Sequence, residues 1–425
     1  MAVGYPGFYY AGVGVQTVAG TAVAPVKFSR ATAMSKGQET IKTEKGYDGL
    51  NREYSWIVKV SQMHELSFAS LAYPDFFPGA LFIGYGITDL VSGTLTTGSS
   101  TIASGTGTVG STSITITSST GYTNGQTLLL GTAGSAGSEL VTIGTISGTA
   151  FPVVTPSTGL RYVHANGSSV LGVTDPYTHT GTSSNAIPVP ISFEHAIGQQ
   201  PSPLTPLDVV RVPDAIYQGI KFQAAAGKAA VTNYDLVGRL GVPGGSAATV
   251  AFETDAPLVL SASGTTFTVG DYSGTAGTGM TIATANVTNF GFDMKLTPDP
   301  VQVAGSLAPY QNATVRGTML NCDIWIPTNT LMRQVYYGTS TGTTPVPQVQ
   351  STTFQVKFDE GLSPDHFVTL LFNNFAAEAG IPTFSSEGKA MIFKLTGPAL
   401  PNGATGALTV TAQNGYAGNY GFFGA

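Results

Sequence analysis

The segment IYQGIKFQAAAGKAAVTNYDLVGRLG, residues 216–241, decides the fold class that the sequence predicts. It divides into two β-prone runs, IYQGIKFQAAAG and KAAVTNYDLVGRLG, which we interpret as successive strands. Similar runs follow it. In one of them Phe354, Val356 and Phe358 alternate with polar residues, as in a strand with one buried face. The chain is therefore predicted to be mainly β.

The composition favours a β protein whose surface is covered in an assembly. The chain has 425 residues, enough for two or three domains, and its hydrophobic content of 42% excludes a disordered chain. Only 10% of its residues are charged, whereas soluble proteins average about 25%. It contains 54 glycines with many Ser and Thr, which favour turns and strands over helix. Because a surface with so little charge tends to associate, we expect neighbouring subunits to cover much of it.

Charge, cysteine content and hydropathy argue against several other classes of protein. The net charge of −6 disfavours sequence-specific nucleic-acid binding, which requires basic patches. The single cysteine, Cys322, cannot form an intramolecular disulfide, and its apolar neighbours Leu320 and Ile324 predict a buried, inert thiol. The N-terminus has no basic leader, and no run approaches the ~20 apolar residues of a membrane span. We expect no membrane segment and assembly in the cytosol of a host cell.

Both ends of the chain are rich in aromatic residues. Residues 1–30 contain GYPGFYYAGVG, and the chain ends in NYGFFGA. The first segment shows no periodicity that would give it a core of its own. We interpret it as an arm that docks on a neighbouring subunit, with a frayed terminus as the alternative. Arm contacts are predicted for Phe8, Tyr9, Tyr10, Tyr420, Phe422 and Phe423, because aromatic side chains commonly anchor interfaces.

The most charged stretch of the chain follows the N-terminal arm. Its charged residues surround the turn at Gly46 to Gly49 and are Lys36, Glu39, Lys42, Glu44, Lys45, Asp48, Arg52 and Glu53. The next segment alternates as a long strand would, with Trp56, Val58 and Val60 on one face. The charged stretch is predicted to be the tip of an exposed hairpin or loop. Charges of alternating sign suit complementary contacts between subunits, and a solvated surface loop is the alternative.

Residues 92–182 have a different composition. Their only charged residues are Glu139, Arg161 and Asp175. The short β-prone runs SITIT, TLLLG, LVTIG and RYVHA lie between Gly-rich turns, which predicts a small β-barrel or sandwich inserted in a loop. A flexible low-complexity linker is the alternative. We expect this insert to be dispensable for assembly.

Two segments resemble each other and suggest an internal repeat. The best helix candidate is SPDHFVTLLFNNFAAEAG, residues 363–380, in which Ser363 can cap the helix and Gly380 can end it. PDFFPGALF at residues 74–82 aligns with PDHFVTLLF at residues 364–372. The match suggests two tandem copies of one β-sandwich, each with a helix beside it.

The sequence offers no evident catalytic or metal-binding constellation. Its five histidines are His64, His164, His179, His195 and His366. None has metal-ligand spacing to another histidine, the cysteine or a pair of carboxylates, and the Gly-rich runs lack the lysine of a phosphate-binding loop. The adjacent acids Asp359 and Glu360 are interpreted as solvated. We predict no metal, no cofactor and no enzymatic activity; the two distant carboxylates of a β-helical glycosidase or a tail-fibre depolymerase are the alternative.

The order of segments resembles that of the tail tube proteins of long-tailed bacteriophages. The resemblance is carried by VGVQTVAGTAVAPVKF, KGYDGLNREY, SFASLAYPDFFPGALFIGYG, ISFEHAIG and residues 216–241. In the last of these, Tyr217 and Gly219 form a Tyr-x-Gly signature like that of the family. The resemblance covers the chain except residues 92–182. It implies a β-sandwich with a flanking helix, arranged in rings whose inner sheets form one barrel around a channel, with edge strands as the joints between subunits.

The resemblance also implies an organisation and a function. The predicted parts are an N-terminal arm at 1–30, a first β-sandwich at 31–91 and 183–240, a small inserted β domain at 92–182, and a second β-sandwich with a C-terminal arm at 241–425. Tubes of the family have sixfold symmetry. Two sandwich copies per chain would therefore give a homotrimer with pseudo-sixfold symmetry, and a single copy would give a homohexamer.

Stacked rings of this kind would form the conduit for DNA ejection in the tail of the virion. The expected partners are further copies of the chain, the tape measure, terminator and baseplate proteins, and passing DNA that is not bound specifically. An acidic lumen would repel phosphates over about 8–10 Å. A capsid shell or decoration protein and a receptor-binding tail fibre are the alternative functions.

Overall fold

The computed structural model shows a protein built mainly of β-strands, which confirms the predicted fold class. It describes residues 8–16, 20–46, 56–103, 107–156, 158–184, 190–199, 205–243, 255–260, 265–269, 280–282, 286–301, 310–325, 351–360, 366–377, 392–403 and 405–420, with isolated residues at 105, 188, 252, 333, 337 and 343. No helix in these ranges is long and apolar enough to cross a membrane.

The described elements are all strands except one helix. In the first half they are β1 (Phe8–Val15), β2 (Lys27–Gly46), β3 (Trp56–Leu71), α1 (Phe76–Gly84), β4 (Leu90–Thr101), β5 (Ser113–Thr115), β6 (Thr127–Leu130), β7 (Glu139–Ile143), β8 (Ala150–Thr155), β9 (Ser169–Thr182) and β10 (Ile191–Gln199). In the second half they are β11 (Thr205–Ala225), β12 (Val231–Gly238), β13 (Val242–Pro243), β14 (Thr266–Val269), β15 (Met280–Ile282), β16 (Val287–Val301), β17 (Tyr310–Trp325), β18 (Ser351–Asp359), β19 (Phe367–Ala376), β20 (Ile392–Pro398) and β21 (Leu408–Asn414).

These strands form two large sheets. Sheet 1 has the order β10-β1-β2-β3-β12-β11-β16-β17-β20, with β13 beside β11. Sheet 2 has the order β15-β14-β18-β19-β21-β9-β6-β7-β8-β5, with β4 beside β9. The long pairs β2–β3, β16–β17 and β18–β19 are antiparallel. The segment 216–241 that predicted the fold supplies the second half of β11 and all of β12, which pair from Ile216 to Gln223.

The two sheets pack face to face through buried aromatic rings. Phe290 on β16 stacks on Phe354 of β18 with ring centroids 5.9 Å apart, and Phe292 lies 5.9 Å from Phe372 of β19. The alternating residues of β18 that predicted a strand, including Val356, are buried in this layer. Each buried aromatic ring removes a large apolar area from water, and offset or edge contacts between rings add to this. The interface between the sheets is therefore the main core of the chain.

Helix α1 lies within this core. All of its residues are buried, so it has no polar face, as expected for a helix surrounded by protein. Phe77 stacks on Phe222 of sheet 1 at 4.8 Å, and Phe82 stacks on Tyr420 of the C-terminal segment at 5.4 Å. Pro78 is tolerated because it lies in the first turn, where its missing N–H has no helical partner. The helix expected at residues 74–82 is thus confirmed.

Six strands of sheet 1 close into a ring, because β10 pairs with β11 as well as with β1. Strands β3 and β10 lie on opposite sides of this ring, yet His64 Nε2 on β3 is 3.0 Å from His195 Nε2 on β10. Phe193 and Leu66 are buried and belong to the same hydrophobic cluster. The interior of the ring is therefore filled with side chains and is not a channel.

The insert has a core of its own. Twelve buried residues between Ile102 and Val170 form a separate hydrophobic cluster, and SITIT, TLLLG and LVTIG correspond to β5, β6 and β7. RYVHA was expected to be a strand, and this is wrong. The backbone N–H groups of Arg161 and Tyr162 donate to the carboxylate of Glu139 at 3.0 and 3.3 Å instead of to a neighbouring strand.

The predicted helix at residues 363–380 is wrong. Residues 367–376 form β19, which pairs with β18 and β21, whereas residues 361–365 and 378–380 lie outside the described ranges. Val368, Leu370 and Phe372 are buried and alternate with less buried residues, which is the period of a strand. Partners on both edges outweigh the capping signals, because an antiparallel ladder satisfies every backbone polar group.

The repeat hypothesis loses its main support through this correction. Residues 74–82 lie in and beside a helix, whereas residues 364–372 lead into a strand. Sheet 1 also contains strands from both sides of the predicted domain boundary at residue 241. The tandem-copy organisation stays a prediction, and the two sheets do not divide at the boundary that it proposes.

Candidate assembly surface

Two hairpins leave sheet 1 at the same end. Across the sheet, His64 on β3 pairs with Gly238 on β12, Ile216 on β11 pairs with Val237, and Gly219 pairs with Lys295 on β16. The part of β3 before His64 and the part of β16 after Lys295 both extend past this end. The first half of β11 extends in the same direction and pairs with β10. One end of the sheet therefore carries all of the long projections.

The β2–β3 ribbon is the longest projection. Within the described ranges, residues 56–63 of β3 pair with β2 alone, because the pairing with β12 begins at His64. At about 3.3 Å per residue, this ribbon projects about 26 Å beyond the sheet. Its outer strand edges present backbone N–H and C=O groups that no neighbouring strand of the described chain engages.

The β16–β17 ribbon projects beside it. Leu296 pairs with Arg316 and Val301 pairs with Tyr310, beyond the reach of β11 on one side and of β20 on the other. The bases of the two ribbons touch through a small cluster of Met63, Ile216, Val237 and Leu296. Both ribbons are therefore anchored at the sheet and extend from it as two-stranded structures.

A buried ionic network holds the β10–β11 hairpin to β1. The Glu194 side chain is fully buried, and Arg211 Nη2 donates to its Oε2 at 2.5 Å. The Tyr10 hydroxyl donates to the other carboxylate oxygen at 2.9 Å. The three residues lie on β10, β11 and β1, so the network connects the strands that close the ring.

The sequence matches no protein-family model and no curated protein. The function must therefore be inferred from the placement of the predicted contact residues. The charged residues Lys36, Glu39, Lys42, Glu44 and Lys45 lie in β2, which pairs with β3 as a hairpin does, so they lie along its strand and not at its tip or in a loop. Asp48, Arg52 and Glu53 lie outside the described residues. The charged stretch thus belongs in large part to the projecting ribbon.

The predicted aromatic arms are placed differently. Phe8 and Tyr9 belong to β1, which pairs with β10 and β2 of its own chain. Tyr10 and Tyr420 are buried within their own chain. Phe422 and Phe423 lie outside the described residues. Residues 8–15 are therefore an integral strand of sheet 1 and not an arm.

The five histidines are all buried and all contact another titratable group. His179 Nδ1 lies 2.9 Å from Asp89, and His164 Nε2 lies 2.7 Å from Glu139. His64 and His195 contact each other across the ring. Glu194 and His195 point to opposite faces of β10, as expected for adjacent residues of a strand. Sequence spacing does not predict these contacts, because each joins distant segments.

Cys322 is buried on β17, which confirms the predicted location of the thiol. Burial raises its pKa well above the ordinary value. Because the thiolate is the nucleophilic form, a thiol held protonated in this way is unreactive. The structure therefore assigns Cys322 to packing.

One cluster differs from the other histidine contacts, because three carboxylates surround one imidazole and two of them face the same ring nitrogen. Ligand atoms of Asp255, Glu360 and His366 lie within 4.8 Å of one another. The side chain of Glu360 is only 4% exposed, so its predicted solvation is wrong. Burial raises the pKa of Glu360 and of Asp255, and the nearby His366 opposes this rise. Sequence spacing does not indicate this cluster, because Asp255 is distant from Glu360 and His366 along the chain.

Proposed function

We propose that this protein is a structural subunit that assembles into rings, and that the stacked rings form the tail tube of a long-tailed bacteriophage. The observation that supports this most is the pair of ribbons at one end of sheet 1. A two-stranded hairpin alone is marginally stable in water. Contacts with the next subunit would cover the open strand edges of the ribbons and complete their ladders.

The bore of the tube would lie between chains. The six-stranded ring of sheet 1 is filled by the contact between His64 and His195 and by buried apolar side chains. A conduit for DNA must therefore be enclosed by several copies, either three with pseudo-sixfold symmetry or six. The net charge of −6 suits a wall past which DNA moves without being held. The tape measure, terminator and baseplate proteins are the further partners of such a tube.

Electron microscopy of the purified full chain in negative stain tests this function. We expect hollow tubes, or rings at low protein concentration, because the ribbons and the charge-poor surface favour association. A compact monomer at high concentration would contradict the proposal. Closed shells would instead indicate a capsid protein, and release of sugar from host cells by the purified chain would indicate a tail fibre.

A shortened ribbon gives the sharper test. Thr40 and Met63 are paired across β2 and β3, so residues 41–62 can be replaced by Asn-Gly, which closes a two-residue hairpin. We expect this variant to fold, because β3 keeps its pairing with β12 from His64 to Leu71. It should remain monomeric by light scattering and form no tubes.

The control is a second excision of the same design in the insert. Thr94 and Thr174 are paired across β4 and β9, and Asn-Gly can likewise replace residues 95–173. This variant should still form tubes, although it loses more of the chain. Tubes from the ribbon-shortened variant, equal in yield to those of the unmodified chain, would exclude the ribbon from ring contacts.

A further inference from the structure

We propose that Asp255, Glu360 and His366 bind a divalent transition-metal ion, for which Zn²⁺ is the appropriate probe. The three residues lie before or after three different strands of sheet 2. Glu360 follows β18, His366 precedes β19, and Asp255 lies in the segment before β14. Two backbone hydrogen bonds hold them together: Glu360 N–H donates to the His366 carbonyl at 3.1 Å, and Ala256 N–H donates to Glu360 Oε2 at 3.1 Å.

The two distances from His366 Nδ1 are those of neighbouring ligands around one ion, and all three ligand atoms lie within 4.8 Å of one another. His366 Nδ1 lies 3.2 Å from Asp255 Oδ2 and 3.2 Å from Glu360 Oε1. Bonds of about 2.0–2.2 Å from Zn²⁺ to nitrogen and oxygen place neighbouring ligand atoms about 3–3.5 Å apart. The cluster therefore needs little rearrangement to accept such an ion.

The imidazole of His366 supplies the second, independent observation. Its side chain is 6% exposed, and Nδ1 is buried with no hydrogen-bond partner although it faces two carboxylates. On the other side of the ring, Nε2 lies 3.2 Å from Asp175 Oδ1. An ionised carboxylate only accepts hydrogen bonds. The N–H of Nε2 therefore donates a hydrogen bond to Asp175 Oδ1. Nδ1 is then the ring nitrogen that faces the oxygens of Asp255 and Glu360, and a cation that takes the place of any hydrogen on Nδ1 would bind all three atoms.

Asp175 has the position of an outer-sphere residue. A histidine that binds a metal commonly donates its other N–H to a carboxylate, which fixes the tautomer and the orientation of the ring. Asp175 lies on β9, which enters from the insert, so the ion would connect the insert to the sandwich. The imidazole ligand favours a transition metal over Ca²⁺ or Mg²⁺, which prefer oxygen ligands alone.

The test uses the full chain, stripped of metal by a chelator and kept below the concentration at which it assembles. Competition against a chromophoric chelator should show one Zn²⁺ per chain, and addition of Zn²⁺ should raise the Tm, since a ligand bound only to the folded chain stabilises it. Asp255→Asn and His366→Gln should each abolish binding. Asp175→Asn should weaken it by about 10–100-fold.

His164→Gln is the matched control. His164 is as buried as His366, but it faces the single carboxylate of Glu139, so this variant should bind Zn²⁺ as the unmodified chain does. If His366→Gln does not fold, Asp255→Asn decides, because its carboxylate is 20% exposed and tolerates the amide. Absence of Zn²⁺ binding by the unmodified chain, or equal loss in His164→Gln, would overturn the proposal. Neither result bears on tube formation, which electron microscopy tests separately.

Discussion

Tyr420 joins the C-terminal segment to the centre of the molecule. Its backbone N–H donates to Asp89 Oδ2 at 2.8 Å, and its hydroxyl donates to Asp75 Oδ1 at 2.9 Å. Asn414 Nδ2 donates to the same hydroxyl at 2.6 Å. The ring also stacks on Phe82, so both the ring and the hydroxyl of Tyr420 are fixed by contacts within the chain. A residue that the sequence suggested for contacts with another subunit is thus a fixed part of its own chain.

The position of Tyr420 explains why residue 79 is glycine. In a helix interior, Gly→Ala ordinarily stabilises a protein by roughly 0.5–1 kcal/mol. At Gly79, however, a Cβ would lie 2.9 Å from Cδ1 of the Tyr420 ring, and the hydrogen bonds of the Tyr420 hydroxyl oppose a shift of this ring. We expect Gly79→Ala to lower the free energy of unfolding by about 1–3 kcal/mol, the usual cost of overpacking, as measured by urea denaturation.

The control for this prediction is Gly317→Ala on β17. A Cβ at Gly317 meets nothing within 4 Å, so this variant should be neutral or slightly more stable. If Gly79→Ala were as stable as Gly317→Ala, the tight contact with Tyr420 would not be limiting.

Arg211 is expected to stabilise the fold by pairing with the buried carboxylate of Glu194. Arg211→Met removes the guanidinium that faces the fully buried Glu194 carboxylate, to which the Tyr10 hydroxyl still donates. Breaking a buried ion pair in this way typically costs about 3–5 kcal/mol, and we expect a loss of that size in chemical denaturation. The double variant Arg211→Met with Glu194→Gln should recover a substantial part of it, because no buried charge remains. No recovery would indicate that the lost packing of Arg211 dominates.

At the level of elements, local patterns predicted the strands well and β19 badly. The alternation in Phe354, Val356 and Phe358 was sufficient for β18, because the burial of one face follows from a local period. At residues 367–376 the apolar residues fit both the period of a strand and the period of a helix. The choice is made by β18 and β21 on its two edges, and no local signal reveals which strands those are.

The candidate sites also differ in whether a local sequence pattern or the tertiary fold brings their residues together. An exposed hairpin or loop before Trp56 was predicted from charge and turn residues, and in the structure β2 and β3 pair as the two strands of a long ribbon. The metal cluster was not predicted. Its Glu360 and His366 are close in sequence, but the third ligand, Asp255, is brought in only by the tertiary fold. Sequence spacing finds sites built on one element and misses those built between elements.

At the scale of the whole molecule, the boundaries of the insert differ from those predicted. The last residues of β9, 177–182, pair with β21 and belong to sheet 2. His179 on this part of β9 also contacts Asp89, which binds the backbone of Tyr420. A deletion of residues 92–182 would therefore remove an internal strand of the sandwich together with the insert.

The insert should be dispensable only if it is cut at the right place. We expect the variant with Asn-Gly in place of residues 95–173 to melt cooperatively at a lower Tm than the unmodified chain, since it loses Leu129 and Leu140 from the cluster around Val91. Deletion of residues 92–182 should instead give a chain without a cooperative transition, because β21 loses its partner on one edge. Differential scanning calorimetry distinguishes the two. If both variants melted alike, β9 would not be a necessary strand of sheet 2, and the insert would be separable at either boundary.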